Sequence, residues 1–321
     1  MKGWPMKRTG YLHDLRYMLH DTGPDHPEKA ERLAAIHRGI ENAGLLPHLV
    51  KFSAVMAGMR WILAVHTKTY VRRFEELSLS GVKTFDSADN QMCTDTFEVA
   101  RLAVGGVLET ARNIMTGEID NAFCAVRPPG HHAEVCQAMG FCYFNNVAIC
   151  VRYLQKRWKI KRVAIIDFDV HHGNGSQHIF ENDNTVFYYS IHQHPSFAFP
   201  GTGRDFEVGI EAGKGYTKNS PALPGQGDGE YHRLFAKDLF PAMDFFKPEF
   251  IIVSAGFDAH EDDDMADMKL TSDCFTWMMA QIVVIANQYS HGRVLSVLEG
   301  GYALHRLPEL AQNHVQVLLN G

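Results

Sequence analysis

Several things are missing from this 321-residue chain, and each absence closes an option. Its six cysteines include no Cys-x-x-Cys pair, and they are too sparse for a small disulfide-stapled secreted domain. The thiols are therefore expected to be reduced, in a cytoplasmic compartment. No apolar run reaches membrane-spanning length, and the start, "MKGWPMKRTGYLHDLRYM", lacks the apolar core of a signal peptide. There is no basic excess. Against 37 Asp and Glu stand 31 Lys and Arg, a net charge of −6, so no global field draws the chain to nucleic acid. Internal repeats, low-complexity tracts and linkers are also missing, which makes one domain over residues 1–321 the simplest organisation. None of this fixes an oligomeric state.

What is present is a soluble-type composition, 45% hydrophobic and 21% charged, with 18 histidines. Five short apolar runs read as buried strands: 121–126, 162–168, 185–191, 250–256 and 293–300. Between them, 96–115, 145–158, 229–246 and 272–290 carry helical spacing, with Thr94, Asn145, Asp228 and Ser272 as start signals. Alternating strands and helices, with strands apolar throughout, predict an α/β fold with a parallel sheet covered on both faces. The first 90 or so residues read as more helical, with uncertain boundaries.

In such a sheet, ligands bind beyond the carboxyl ends of the strands. Four strands here end in polar clusters: Arg127-Pro-Pro-Gly-His131-His132, Asp167-Phe-Asp169-Val-His171, Gly256-Phe-Asp258 and Glu299-Gly-Gly-Tyr302. Asp169 and His171, at i and i+2, share a face of an extended segment. With Asp258 they make a mixed oxygen/nitrogen set suited to Zn²⁺, Fe²⁺ or a similar ion, leaving a position open for water and substrate. Each aspartate alone would serve equally as a helix cap. His131 and His132 are candidates for the base and for an electrostatic or leaving-group partner, with Asp167 and Asn174 setting their tautomers. Tyr302, after two glycines, is either an oxyanion donor or a tyrosine packed at a turn.

Taken together, "RPPGHHAE", "GFCYFNN", "IIDFDVHHGNGSQH", "YYSIHQHPSFAFPGTG", "VSAGFDAHEDD" and "LEGGY" resemble the zinc-dependent histone deacetylase family, in its class II-like and bacterial amidohydrolase branches. The likeness runs from "HPEKAERL" (26–33) and "VHTKTY" (65–70) to Tyr302. It implies an arginase–deacetylase fold with a central eight-stranded parallel sheet, and hydrolysis of an N-acyl amide, usually acetyl-lysine. It implies Asp169, His171 and Asp258 as ligands of one Zn²⁺ per chain. His132 resembles the base of the tandem pair, and Tyr302 the phenol that polarises the carbonyl. Gly140, Phe141, Phe199, Met265 and Gly300 resemble an acyl-lysine tunnel, and Asp89 a grip on the substrate backbone. Family members also bind K⁺. Asp167, Asp169, His171, Ser190 and Ile191 match an inner site, and Phe180, Asp183, Val186 and Tyr216 an outer one.

Three features depart from the pattern or colour it. Asn174 stands where some relatives carry Asp, and a neutral amide favours imidazolium less than a carboxylate does. "HEDDDMAD" (260–267) puts five carboxylates near the expected tunnel mouth, either as a solvated loop or as an attractor of cationic substrates. Met265 occupies the position at which the polyamine-selective branch carries glutamate, which favours acetyl-lysine over acetylpolyamines. An arginase-type ureohydrolase, which shares the arginase–deacetylase fold but needs a two-manganese cluster with more Asp and His ligands, a deacylase for longer acyl chains, and a non-catalytic acyl-lysine or acetate binder are the remaining readings.

Overall fold

Apolar, β-branched segments line up side by side in the computed structural model, which describes residues 7–321. The first six residues of the supposed signal-free start lie outside that range. The strands are β1 Thr9–His13, β2 Val50–Phe52, β3 Thr84–Phe85, β4 Ser87–Gln91, β5 Asn121–Ala125, β6 Val163–Asp167, β7 Val186–Gln193, β8 Thr217–Ala222, β9 Phe250–Ala255 and β10 Val294–Leu298. Eight of them form one sheet in the order β2-β1-β5-β10-β9-β6-β7-β8, with every pairing parallel. β3 and β4 make a separate antiparallel pair.

Adjacent residues of β5 show why helices cover both faces. The Phe123 ring packs 5.0 Å from His314 in the helix Leu307–Asn320. The next side chain, Cys124, reaches Thr110 Oγ1 in the helix Thr96–Met115 at 3.3 Å. Successive side chains of a strand point oppositely, so the two helices lie on opposite sides. All residues of β5, β6, β7, β9 and β10 are buried, as apolar runs without alternation require.

The five expected strands are present, and β1, β2 and β8 join them unforeseen. β8, "TKNSPA", is polar and contains Pro221; it is tolerated because β8 is an edge strand, where a missing N–H costs no ladder bond. β2 is the other edge, three residues long and mostly exposed.

The helix expected over 229–246 is present from Asp228 to Phe246, but with a π-helical stretch (Phe235–Leu239) between two α-helical ones (Asp228–Leu234 and Phe240–Phe246). Pro241 is the physical cause, since it lacks an N–H and its ring clashes with the carbonyl four residues back. Among the start signals, Asn145 caps as expected, its Oδ1 accepting from Ala148 N–H at 3.0 Å. The other three do not. The helix after Thr94 starts at Thr96, where Ser78 of a neighbouring helix accepts from Phe97 N–H instead. Asp228 accepts from Thr271 N–H and hydroxyl, tying two helices together, and Ser272 lies inside its helix.

Candidate active site

The four polar clusters follow β5, β10, β9 and β6, which are consecutive neighbours in the sheet. Parallel pairing puts all four carboxyl ends on one rim, so residues far apart in sequence meet there.

Asp169, His171 and Asp258 are buried, with one ligand atom of each within 4.8 Å of the others. His171 Nδ1 lies 3.2 Å from Asp169 Oδ1 and 3.3 Å from Asp258 Oδ2. Despite that approach, Asp258 Oδ2 has no hydrogen-bond partner. A buried carboxylate oxygen left so is costly unless a cation faces it. Burial and the charge of Asp169 push the Asp258 carboxyl up. Gly300 is required beside this cluster, because a Cβ there would stand 2.1 Å from Asp258 Oδ2 and 2.7 Å from Asp169 Oδ2. Two hard carboxylates and one imidazole around an orphaned oxygen fit a divalent ion such as Zn²⁺ or Fe²⁺.

A second group, His131, Cys142 and Glu299, also converges, but it fits a metal less well. Burial holds the Cys142 thiol well above its usual range, so it is no thiolate. Glu299 Oε2 is already taken by the N–H groups of Gly130 and His131, at 2.7 and 3.1 Å, which leaves Oε1 as its one unpartnered oxygen.

The tandem histidines sit beside the three-residue cluster in contrasting environments. His131 Nδ1 bonds Asp167 Oδ2 at 3.1 Å, and His132 Nδ1 bonds Asn174 Oδ1 at 2.8 Å. Burial opposes charge on both. At His131 the charges of Asp169, Asp167 and Glu299 overcome burial and raise it to about 10. At His132 burial prevails, reinforced by His131 and His171, and holds it well below the usual value. One imidazole is thus biased to carry a proton and its neighbour to stay neutral, so the two sit in different protonation states, the separation that acid–base chemistry needs.

These residues open onto one cavity of about 240 Å³, lined by Asp89, Pro129, His131, His132, Gly140, Phe141, His171, Phe199, Met265, Gly300 and Tyr302. All six residues expected in a tunnel are there. Gly140 has φ +51°, and a Cβ on it would meet His132 Cδ2 at 2.4 Å and Phe199 Cε1 at 2.9 Å. Phe141 also holds a positive φ of 69°, secured by its N–H donating to Asn90 Oδ1 at 2.8 Å. The Tyr302 ring stands edge-on to Phe141 at 6.0 Å, with the Arg32 guanidinium 4.9 Å from its centroid. Burial raises the Tyr302 phenol well above its usual value, so the hydroxyl is a donor at neutral pH.

The histone deacetylase domain model matches residues 26–318. A probable deacetylase from Archaeoglobus fulgidus is 40% identical over 299 residues, covering 92% of this chain and 82% of its own length. A histone deacetylase-like amidohydrolase from Pseudomonas aeruginosa is 34% identical over 319 residues, covering 94% and 83%. The chain belongs to the histone deacetylase family. The crystal structure of the HDA15 HD domain superimposes with a TM-score of 0.90 at 36% identity, covering 97% of this chain and 88% of that one. The sheet described above is accordingly the arginase–deacetylase fold of histone deacetylase-like proteins, and the family assignment makes the chain a metal-dependent amide hydrolase.

Within this histone deacetylase fold, the residues matched to an inner cation site lie together. Asp167 pairs in register with Ser190 across β6 and β7, next to Ile191, and its Oδ1 accepts from Asp169 N–H at 3.2 Å. Phe180, Asp183 and Val186 form one turn, Asp183 N–H donating to Phe180 O and Val186 N–H to Asp183 O. Tyr216 adjoins it through Tyr188 N–H, which donates to Tyr216 O. A cation is already present at that turn. Arg152 lies 2.6 Å from Asp183 Oδ2 and 4.7 Å from the centre of the Phe180 ring.

The acidic run 260–267 is not a uniform charged mouth. Asp263 is buried, and its Oδ2 accepts from the N–H groups of Tyr302 and Ala303 at 2.6 and 2.9 Å. Asp262 is tied to Arg306 at 2.6 Å. Several supporting residues lie within the motifs of the resemblance, yet the sequence assigns them no role. Arg32 donates to Glu299 O and Gly301 O at 2.6 and 2.7 Å, and Glu28 bridges Arg32 to Arg127. His26 Nε2 bonds Asp89 O at 3.0 Å, bracing the cavity wall. Glu134 reaches Asn174. Apart from the Glu28–Arg32 pair, four residues apart, their partners lie tens to hundreds of residues away.

Proposed function

We propose that this chain removes the acetyl group from an N-acetylated lysine, with one divalent ion, Zn²⁺ or Fe²⁺, held by Asp169, His171 and Asp258. The observation supporting this reading is a single narrow cavity bordered by the tandem histidines, His171 and Tyr302. Its volume falls below the ~300–1,000 Å³ of ordinary ligand pockets, so it suits one slender aliphatic arm between aromatic walls. Phe141 and Phe199 flank that arm, and Asp89 meets the backbone that carries it.

When bound, the ion would polarise the amide carbonyl and make water a nucleophile at neutral pH. His132 takes the proton of the attacking water, using the nitrogen not engaged by Asn174. The Tyr302 hydroxyl donates to the oxygen that gains negative charge. His131, held by its bond to Asp167, steadies that charge, and a histidine of the pair protonates the departing amine. Acetate and the free amine leave. In the same reading, K⁺ is held at the inner site around Asp167 and Ser190. At the outer turn, Arg152 competes with it.

A fluorogenic acetyl-lysine reporter tests the reading, run with and without a chelator and beside arginine. Hydrolysis that the chelator abolishes and Zn²⁺ restores is expected. Turnover of arginine, or an inert metal-loaded enzyme across acetyl-lysine, longer acyl-lysines and N-acetylputrescine, would overturn it.

A further inference from the structure

Beyond Asn174 the hydrogen bonding continues toward the surface. Asn174 Nδ2 donates to Glu134 Oε1 at 2.6 Å, and its longer contact to His132 O, 3.4 Å, also requires a donor. The same Oε1 accepts from His178 Nδ1 at 2.8 Å. The Glu134 backbone is fixed as well. Its N–H donates to Gln137 O at 2.9 Å, and its carbonyl bonds His66 Nδ1 at 2.9 Å. Asn174 is 2% exposed, so water offers it no substitute partner.

An ionised carboxylate only accepts, so the end of the Asn174 amide facing Glu134 must be its NH₂. The other end, the carbonyl oxygen, then faces His132 Nδ1, which must carry the hydrogen. Nε2 is left bare and able to take a proton. The two ends of a primary amide have nearly the same shape, so packing alone does not choose between them. With the amide reversed, Asn174 would offer an N–H to His132 Nδ1, moving the imidazole hydrogen to Nε2 and removing the base.

We propose that Glu134 is a positioning residue: by orienting the Asn174 amide it sets the tautomer of His132. The consequence for turnover rests on the deacetylase reading, whereas the tautomer itself does not.

The test compares Glu134→Ala, which has no acceptor, with Glu134→Gln, whose carbonyl oxygen still accepts. Long-range ¹H–¹⁵N spectra of the histidine-labelled, Zn²⁺-loaded protein read the tautomer, with the His132 signals identified by their loss in His132→Gln. The wild type is expected to show the Nδ1–H form, Glu134→Ala a mixture or the Nε2–H form, and Glu134→Gln the wild-type form. On the acetyl-lysine reporter, Glu134→Ala should lose about tenfold or more in kcat, part of the ~10²–10⁴ that a positioned base supplies, with KM little changed. Glu134→Gln should recover most of that loss. An unchanged His132 tautomer in Glu134→Ala overturns the proposal, as does a Glu134→Gln variant that folds yet fails as badly.

A second pair of variants covers misfolding of Glu134→Ala. Asn174→Asp sets two carboxylates against each other, and adding Glu134→Gln restores a donor between them. Glu134→Gln should therefore raise kcat in the Asn174→Asp background while lowering it slightly in the wild type. Equal effects in both backgrounds would contradict the proposal. A wild type with no acyl-lysine hydrolysis would remove the deacetylase reading, while the spectra would still decide the role of Glu134.

Discussion

At the Tyr302 phenol, burial outweighs the opposing charge of Arg32, so the hydroxyl stays protonated through the neutral range. A donor aimed at developing negative charge typically contributes ~2.7–4 kcal/mol to a transition state. Tyr302→Phe should therefore lower kcat by about a hundredfold or more, with metal content unchanged by elemental analysis. Equal turnover would leave Tyr302 as a tunnel wall only. Residues of this kind were legible because they end apolar runs, where parallel sheets collect their chemistry. Asp169, His171, Asp258, the tandem histidines and Tyr302 all meet at the one rim that this rule specifies. Glu134, Arg32 and Asp263 lie within the motifs of the resemblance, but their roles were not legible. A charged residue in a loop or on a helix reads as solvated until its distant partner is known.

Among the elements, the Gly300–Tyr302 turn is held from three sides. Arg32 reaches its carbonyls, Asp169 accepts from Gly300 N–H at 2.7 Å, and Asp263 accepts from Tyr302 and Ala303. A hydrogen bond to a charged group contributes about 1.5–3 kcal/mol. Asp263→Ala should release the turn and reduce kcat by about tenfold or more, while leaving the metal in place. Steady-state kinetics with metal analysis checks this; an unaffected kcat would mean that the turn keeps its shape without Asp263. The acidic loop illustrates how an element's composition misleads, since one of its five carboxylates serves the turn and another serves Arg306. Helix 229–246 misleads differently. Its apolar spacing runs straight through Pro241, and the backbone accommodates the proline with a π-turn. Edge strand β8 carries no apolar run because its buried Asn219 and Ser220 are hydrogen-bonded to Gln177 and Asp238.

For the molecule as a whole, five buried apolar runs were enough to expose the sheet, and polar edge strands were not. Its interior also holds charges whose partners decide stability. Glu28, fully buried, bridges Arg127 and Arg32, and their charges overcome burial to hold its carboxyl well below the usual range. Glu28→Gln leaves the two guanidinium groups uncompensated and should cost about 3–5 kcal/mol, read from urea unfolding midpoints. Burial also depresses His20 and His314 to about 3, and His66 and His192 to about 4. Below pH ~6.5 the unfolded chain protonates these four while the folded chain does not, so they lower stability as pH falls and outweigh Glu299, which burial raises to about 7 and which acts in the opposite sense. Each contributes about 1.4 kcal/mol per pH unit in that window. Thermal unfolding should drop steadily from pH 7 to pH 5; a flat profile would mean that these histidines find water in the folded state.

The proposed chemistry depends on one ion at Asp169, His171 and Asp258. Its most direct test is a Zn²⁺ titration of metal-free protein, followed by acetyl-lysine hydrolysis, with Asp258→Asn measured alongside. Activity should rise to a plateau at one equivalent in the wild type, and the variant should fold yet fail to retain the ion. Full activity without metal, or an Asp258→Asn protein that still binds one equivalent tightly and turns over, would contradict it.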